Sequence, residues 1–536
     1  MKGWKVHAPR LDSLFMDRVL ELARRTPYYD DAVLAADLLV NDAHWEKAAT
    51  DTRPPDSRVR HDFADDLCSN GVTAVFNGTP KAWGLLTARP EPTKIPPRFR
   101  AISDMLWSNA ALDDTKKVRL STSNELFGKV SRNKHACTFD FTGWFYSLAI
   151  GDRVQPFLCF RIGKTIFTHL RAPMGHKWMV FIAHTITCVL AWSPHVEWDA
   201  IIDNVMYASN DKDILAAEKN AFMARCEYVR ATLGETTEIG DTVTYRGINM
   251  HMGQTVGVKP SWTEKFTRRI ETVLEGRCTA AMIYSLGGMI AWLRGILEST
   301  TLENYWWWRT VARAANMEPW KTVTLTTHVR DALNAIRVWI SSDIPPRRSV
   351  AIISRVKALL VTDASLARPL GRWGAMVVTT TMRCFGGLFP VALCKVASIA
   401  DLETAAILLT LHAAPSLASS FDIHAMTDNQ VTHLVLTKRR CSAWRLHMLC
   451  RAIHVTVSAR GSTLTTSWIP SAENPTDGIS RGRQVTDADT RQLMTLVRKS
   501  GMDPEEIVHT NDISIISLEQ CGNILPRFLV QTQQQC

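Results

Sequence analysis

The sequence predicts a mixed α/β chain of three or more compact units, on three observations. Its 536 residues exceed one core at roughly 100–200 residues per domain. Apolar residues make up 46% and charged residues 21%, a balance that builds buried cores and excludes disorder as the main state. Strand-like and helix-like apolar patterns alternate along the chain, the order that layers helices on sheets.

In chain order, Pro90 to Pro97 reads as a proline-rich turn before Arg98–Asp104, and Gln155 to Leu170 alternates as strands do. The apolar run Met179–Trp192 contains His184 and is too short to cross hydrocarbon, so it reads as a buried helix. From Asp211 to Ile340 helical spacing dominates, interrupted by the strand-like Thr242–Met250. The periodic Val329, Leu333, Ile336 and Ile340 give way to Ser341–Ser349, whose double proline marks a boundary. Beyond it, Lys357–Asp363 reads as a buried strand and Gly371–Pro390 as strands and turns. Thr404–His412 reads as a helix, and the residues before Asp428 as another strand. Asp487–Ser500 and Asn511–Leu529 read as a helix and an extended tail.

Twelve cysteines without a Cys-x-x-Cys pair support neither a zinc ribbon nor a disulfide framework. The first residues, Met1 to His7, lack the apolar stretch of a secretory signal. Reduced thiols, an intracellular location and no membrane partner are therefore expected. Lys plus Arg exceed Asp plus Glu by ten, in clusters such as Lys116-Lys117, Arg268-Arg269, Arg347-Arg348 and Lys438-Arg439-Arg440. Such clusters suit a polyanion, although solvated helix faces also carry them.

Four acidic residues in the last third share a setting. Asp363 ends an apolar strand, Glu403 opens a helix, Asp428 ends a strand and Asp477 follows Asn474-Pro475. A single such Asp commonly serves a turn or a cap. Four brought to one sheet edge would repel and raise one another's pKa unless divalent cations neutralised them; Mg²⁺, with Mn²⁺ as a substitute, prefers hard oxygens and phosphate. Two such ions activate water and stabilise the leaving oxygen of a phosphodiester.

Thr362-Asp363-Ala364-Ser365 with Gly371–Ala375, Ile399–Ala406 around Glu403, Thr427-Asp428-Asn429, and Trp468-Ile469-Pro470 with Asn474–Arg481 resemble the four catalytic blocks of ribonuclease H. The resemblance spans about Val350 to Gly482. It implies a five-stranded sheet flanked by helices that cuts the RNA strand of an RNA–DNA hybrid. Many members carry a His in the loop before the last Asp, whereas Ser471–Asn474 holds none.

Upstream, Ala136–Phe145 around Asp140 resembles the first palm motif of reverse transcriptases, and Leu170–Gly175 the next. Ile201–Asn204 stands where their Tyr-x-Asp-Asp hairpin is expected, while Tyr245-Arg246-Gly247 and Leu286–Gly295 resemble primer-grip and thumb segments. The resemblance implies a fingers–palm–thumb polymerase followed by a ribonuclease H-like domain. Its implied boundaries are residues 1–89 for an N-terminal extension and the start of the fingers, 90–250 for fingers and palm, 251–340 for thumb and helical connection, 350–482 for the nuclease domain and 483–536 for a tail. Asp140 and Asp203 would hold metal. Phe145 would exclude a 2′-hydroxyl from the incoming deoxynucleoside triphosphate, Met174 and Gly175 would line that nucleotide, and Lys94 and Arg100 would screen its phosphates. Tyr245, Arg246 and Gly247 would contact the primer. The implied partners are an RNA template, a DNA primer and their hybrid.

Among retroelements, the nuclease blocks look closest to the tyrosine-recombinase kind, DIRS and VIPER. Asn204 replaces the usual second Asp of the hairpin and Trp144 fills a commonly small position. Asn204 keeps open a retroelement-derived nucleic-acid-binding protein with an inactive polymerase half beside a working ribonuclease H. Tyr305–Trp308 either stacks on bases or packs inside, and His184 with Cys188 reads as core.

Overall fold

The computed structural model describes residues 5–525 apart from 50–55, 58, 92–95, 113–117, 277, 298, 343–344, 351–355, 415–416, 418–420, 440 and 509–511. Lys94, Lys116, Lys117 and Arg440 lie outside the described residues. The chain is mixed α/β and divides into two compact units, Met1–Lys259 with Arg347–Ile352, and Pro260–Pro346 with Ile353–Cys536.

In the first unit, an antiparallel sheet runs in the order Leu233–Thr236, His135–Phe141, Asn204–Ser209, Glu197–Ile201. Helix Lys177–Ala191 packs into the core of this sheet and buries every residue except Lys177 and Val180. That explains why its sequence has no polar face. A smaller sheet orders Lys5–Val6, Arg98–Asp104 and Leu85–Glu91. Pro90, expected in a turn, lies within this last strand opposite Phe99; an edge strand tolerates the missing N–H. The strand-like Thr242–Met250 is a hairpin, Thr242–Tyr245 with Ile248–His251, and Gln155–Leu170 holds the hairpin Cys159–Ile162 with Thr165–His169.

The second unit begins with helices Pro260–Glu275, Ala280–Ile296, Tyr305–Ala315 and Thr327–Ile340. Tyr305, Trp307 and Trp308 are buried, and Trp306 stacks on His328 with ring centroids 5.3 Å apart. Packing therefore occupies these rings. A sheet follows in the order Thr463–Trp468, Phe421–Thr427, Val356–Ala367, Leu370–Val378, Met382–Leu388, Ile513–Ile516. The three strands from 356 to 388 are antiparallel neighbours, and the two on the other side of Val356–Ala367 run parallel to it. These five have the ribonuclease H-like order. The sixth, Ile513–Ile516, corrects the expected extended tail: it pairs parallel with Cys384–Gly387 and leads into helix Leu518–Ile524. Four residues are too few for a strand period to stand out from a loop.

Side chains of the central strand alternate between two cores. Ala358, Leu360 and Ala364 pack beneath helices Ile399–Ala413 and Trp444–Ala459, whereas Leu359 and Val361 pack beneath Asp487–Lys499. The eleven described cysteines are free, and no described helix is long and apolar enough to cross a membrane. Trp373, fully buried under the Ile399–Ala413 helix, is the largest single investment in this core. Trp373→Ala should lower the stability of the second unit by about 3–5 kcal/mol, measured as the shift of its urea-unfolding midpoint.

Candidate active sites

The sheet of the second unit brings three of the four expected carboxylates together. Asp363 stands in the interior of Val356–Ala367 rather than at its end, because pairing with Leu370–Arg372 carries the ladder on to Ala367. Glu403 lies one turn inside Ile399–Ala413, which a Ser398–Asp401 capping box starts earlier than the apolar pattern suggests. Asp428 directly follows Phe421–Thr427. Their ligand atoms all lie within 4.8 Å of one another, and no other such acidic, His or Cys group occurs among the described residues.

Neighbouring groups fix the carboxylates of Glu403 and Asp363 and the backbone at Asp428. The Ala364 N–H donates to Glu403 Oε1 at 3.0 Å. Ser480 Oγ donates to Asp363 Oδ2, and Asn474 Nδ2 reaches Asp363 Oδ1 at 3.5 Å. The Trp468 indole N–H donates to the Asp428 carbonyl at 2.8 Å. Gly374 sits opposite Asp363 in the register; a Cβ there would come within 2.7 Å of Ile479 Cβ and the Ser480 nitrogen. A glycine at that point is what lets the short helix Asp477–Ser480 reach the strand.

Asp363 and Glu403 are 6% and 3% exposed. Burial, opposed by the Ser480 hydroxyl and reinforced by the charges of Asp428 and Asp477, pushes the Asp363 carboxyl up to about 6. Burial, then Asp363 and Asp428, pushes Glu403 well above the usual range. Glu403 Oε2 is buried with no hydrogen-bond partner. An all-oxygen donor set with an unsatisfied buried carboxylate oxygen fits a hard divalent cation.

Asp477 stands apart from this group. Its Oδ1 pairs with Arg481 at 2.8 Å and its Oδ2 with Arg483 at 3.0 Å. The sequence reading gave no role to Ser480, Arg481 or Arg483; the signal available was the i,i+4 spacing of Asp477 and Arg481.

In the first unit, Asp140 is the penultimate residue of His135–Phe141 and faces Asn204 across the ladder. Asp203 occupies the tight turn between Glu197–Ile201 and Asn204–Ser209, and its carbonyl accepts from the Phe141 N–H at 2.9 Å. The turn needs Ile202 at φ +53°, an uncommon conformation for a β-branched residue. Helix Lys177–Ala191 holds it: the Ile202 N–H donates to His184 Nδ1 at 3.2 Å, and Thr187 Oγ1 donates to the Ile202 carbonyl. His184 Nε2 lies 3.4 Å from Cys188 Sγ, and burial lowers the His184 pKa. The pair is core, with one face clamping the turn.

Asn204 Nδ2 donates to Asp203 Oδ1 at 2.9 Å. Phe145 lies partly buried in the short helix Trp144–Ser147, whereas Trp144 is buried and stacked on Phe141 with centroids 4.0 Å apart. Gly175, at φ +112°, lies where any Cβ would collide with the Ser103 carbonyl, and the Met174 carbonyl accepts from the Ser103 N–H at 2.9 Å. The close approach that this glycine permits is thus to the Arg98–Asp104 strand. Arg100 is ion-paired to Glu91 at 2.7 Å. Tyr245 is buried, its hydroxyl 3.4 Å from the Asn204 carbonyl, and Arg246 donates to Ser121 from a left-handed turn that Gly247 completes.

No family model matches the sequence, and no curated protein matches it. Solved structures that it resembles are foamy viral protease-reverse transcriptases. For the form dRH with double-stranded DNA, the TM-score is 0.48 at 13% identity, over 85% of this chain and 82% of that one. For the complex with RNA/DNA hybrid, it is 0.45 at 14%, over 85% and 63%. For a further complex with double-stranded DNA, it is 0.44 at 14%, over 85% and 98%.

The raised Asp363 pKa has a sign that can be tested. A carboxyl harder to ionise when folded costs nothing below its ordinary pKa; the penalty grows from about pH 4 to 6 and is complete above, reaching on the order of 3 kcal/mol for a two-unit shift. In chelator, Asp363→Asn should therefore gain stability relative to wild type as pH rises from 4.5 to 7. Urea-unfolding midpoints of both proteins at the two pH values check this, and a pH-independent difference would contradict it.

Proposed function

We propose that the chain is an RNA-directed DNA polymerase with ribonuclease H activity, copying retroelement RNA into DNA and degrading the RNA of the hybrid. The observation that carries the reading is the Asp363–Glu403–Asp428 cluster on a sheet of ribonuclease H-like order. Asp363, Glu403 and Asp428 would hold Mg²⁺ or Mn²⁺, with Asp477 as the fourth carboxylate. Bound cations of this kind supply an activated water and neutralise charge on the leaving oxygen. The chain's own part is to hold the carboxylates in register: Ala364 fixes Glu403, while Asn474 and Ser480 fix Asp363.

For nucleotidyl transfer, Asp140 and Asp203 would be the metal ligands on neighbouring strands, with Phe145 beside the sugar of a deoxynucleoside triphosphate. Arg100, at present paired with Glu91, would turn to the triphosphate. Lys94, Met174 and Gly175 belong to the same nucleotide-side proposal, and Tyr245, Arg246 and Gly247 to the primer side. An RNA template, a DNA primer and their hybrid are the proposed partners. The Asp363 and Trp468–Asp477 blocks favour a retroelement of the DIRS or VIPER kind.

A second reading is favoured by one contact. The Asn204 amide donates to Asp203 Oδ1, the oxygen a cation would need, so the polymerase half could bind nucleic acid without extending it. Extension of a DNA primer on RNA, run beside hybrid cleavage, separates the readings. Asp363→Asn should abolish cleavage and spare extension, Asp140→Asn the reverse, each by a factor on the order of 10²–10³ or more. Asn204→Asp should speed extension. Silence of both the wild type and this variant, with cleavage intact, would establish the binding-only polymerase half.

Phe145→Ala should admit ribonucleotides while hybrid cleavage stays unchanged. Unaltered discrimination between ribo- and deoxynucleotides in the extension assay would remove Phe145 from the nucleotide site.

A further inference from the structure

We infer that Arg481 and Arg483 are a phosphate-binding pair for the nucleic-acid backbone, and that Asp477 occupies them in the free chain, so that binding of hybrid delivers Asp477 to the adjacent carboxylates. The inference rests on the nuclease reading of that cluster and adds to it a coupling between nucleic acid and metal.

Three observations meet here. Asp477 Oδ1 accepts from Arg481 Nε at 2.9 Å and is ion-paired with its Nη2 at 2.8 Å, and Oδ2 accepts from Arg483 Nη2 at 3.0 Å. Both carboxylate oxygens a cation would use are thus turned toward guanidinium groups. The Arg481 and Arg483 side chains are 63% and 66% exposed, so a polyanion can reach them without unfolding anything. A third exposed arginine, Arg372, joins Arg483 in lining a cleft of about 800 Å³ that runs past Gly482 to Gly387 and Ile516 at the sheet edge. Arg372 stands opposite Ser365, two residues along the strand from Asp363 and therefore on the same face.

The energetics favour exchange. Exposed carboxylate–arginine pairs are screened by water and contribute little, whereas a duplex offers rows of phosphates in the same bidentate geometry and releases counterions when they are neutralised. Once the arginines turn to phosphate, Asp477 carries an unneutralised charge beside Asp363, whose ionisation it already opposes. A cation then gains a fourth carboxylate. Because the coupling is thermodynamic, hybrid must raise metal affinity by the same factor as metal raises hybrid affinity.

The test uses the full chain and binding alone. Calorimetric Mn²⁺ titration of the free protein is compared with that of Asp363→Asn, which defines the component belonging to this site. In the Arg481→Gln, Arg483→Gln double variant that component should tighten several-fold, because Asp477 is released. Adding Asp477→Asn should return it to the wild-type value. A gain that survives the third substitution would reflect lost positive charge alone and overturn the inference, as would a double variant that titrates like wild type. In chelator, a 2′-O-methyl RNA–DNA hybrid that resists cleavage should bind the double variant several-fold more weakly, with a log–log salt slope smaller by up to about 2. An unchanged slope also overturns it. A wild type with no Mn²⁺ component removable by Asp363→Asn, and no hybrid binding, would instead take down the nuclease reading and this inference with it.

Discussion

Like charges buried together cannot be relieved by water, and the second unit is organised around that repulsion. Asp363 and Glu403 are almost fully out of solvent, with Asp428 against them. Among the described residues, no buried cationic side chain pairs with them; their hydrogen-bond partners are an amide N–H, a carboxamide and a hydroxyl. Neutral donors orient carboxylates without cancelling their charge. The repulsion therefore raises the pKa of Asp363 and Glu403 and would be relieved by a cation, and the sheet supplies the stiffness that keeps the three from moving apart. Gly374 is part of that stiffness: its missing side chain is what admits the Asp477–Ser480 helix against the strand.

The first unit handles its acidic pair differently. Asp140 and Asp203 lie only partly buried at the turn end of a hairpin, and the constraint there is conformational. Ile202 adopts a backbone angle that β-branched residues avoid, and two side chains of the buried helix behind it hold both polar groups of its peptide. The helix that looked like simple apolar filler is also the clamp that aims the turn.

Much of this was legible in the sequence, for physical reasons that differ from place to place. The unbroken apolar run Leu359-Leu360-Val361 ahead of polar Asp363 announced a strand buried on both faces, and the acidic residues fell where strands and a helix approach one another. Strand ends were not legible. Hydrophobicity stops at Asp363, but the ladder continues because backbone pairing with Leu370–Arg372 does not depend on apolar side chains. The sixth strand was missed because its pairing partner, Cys384–Gly387, lies more than a hundred residues away. The partners of Arg100 and Asp477 were equally hidden, since a charged residue in a motif names a chemistry and leaves open which opposite charge it meets first.

The short strand Arg347–Ser349 returns the chain to the sheet of Thr255–Val258 after the four helices of Pro260–Pro346 have been laid down. The helices and the six-stranded sheet nonetheless share one unit, tied by His447 to the Glu303 carbonyl at 2.8 Å and by Tyr305 to the Ser442 carbonyl. The second unit is thus assembled from two separate stretches of chain. A recombination event that crossed over at the double proline would strand the helices from the surface they cover.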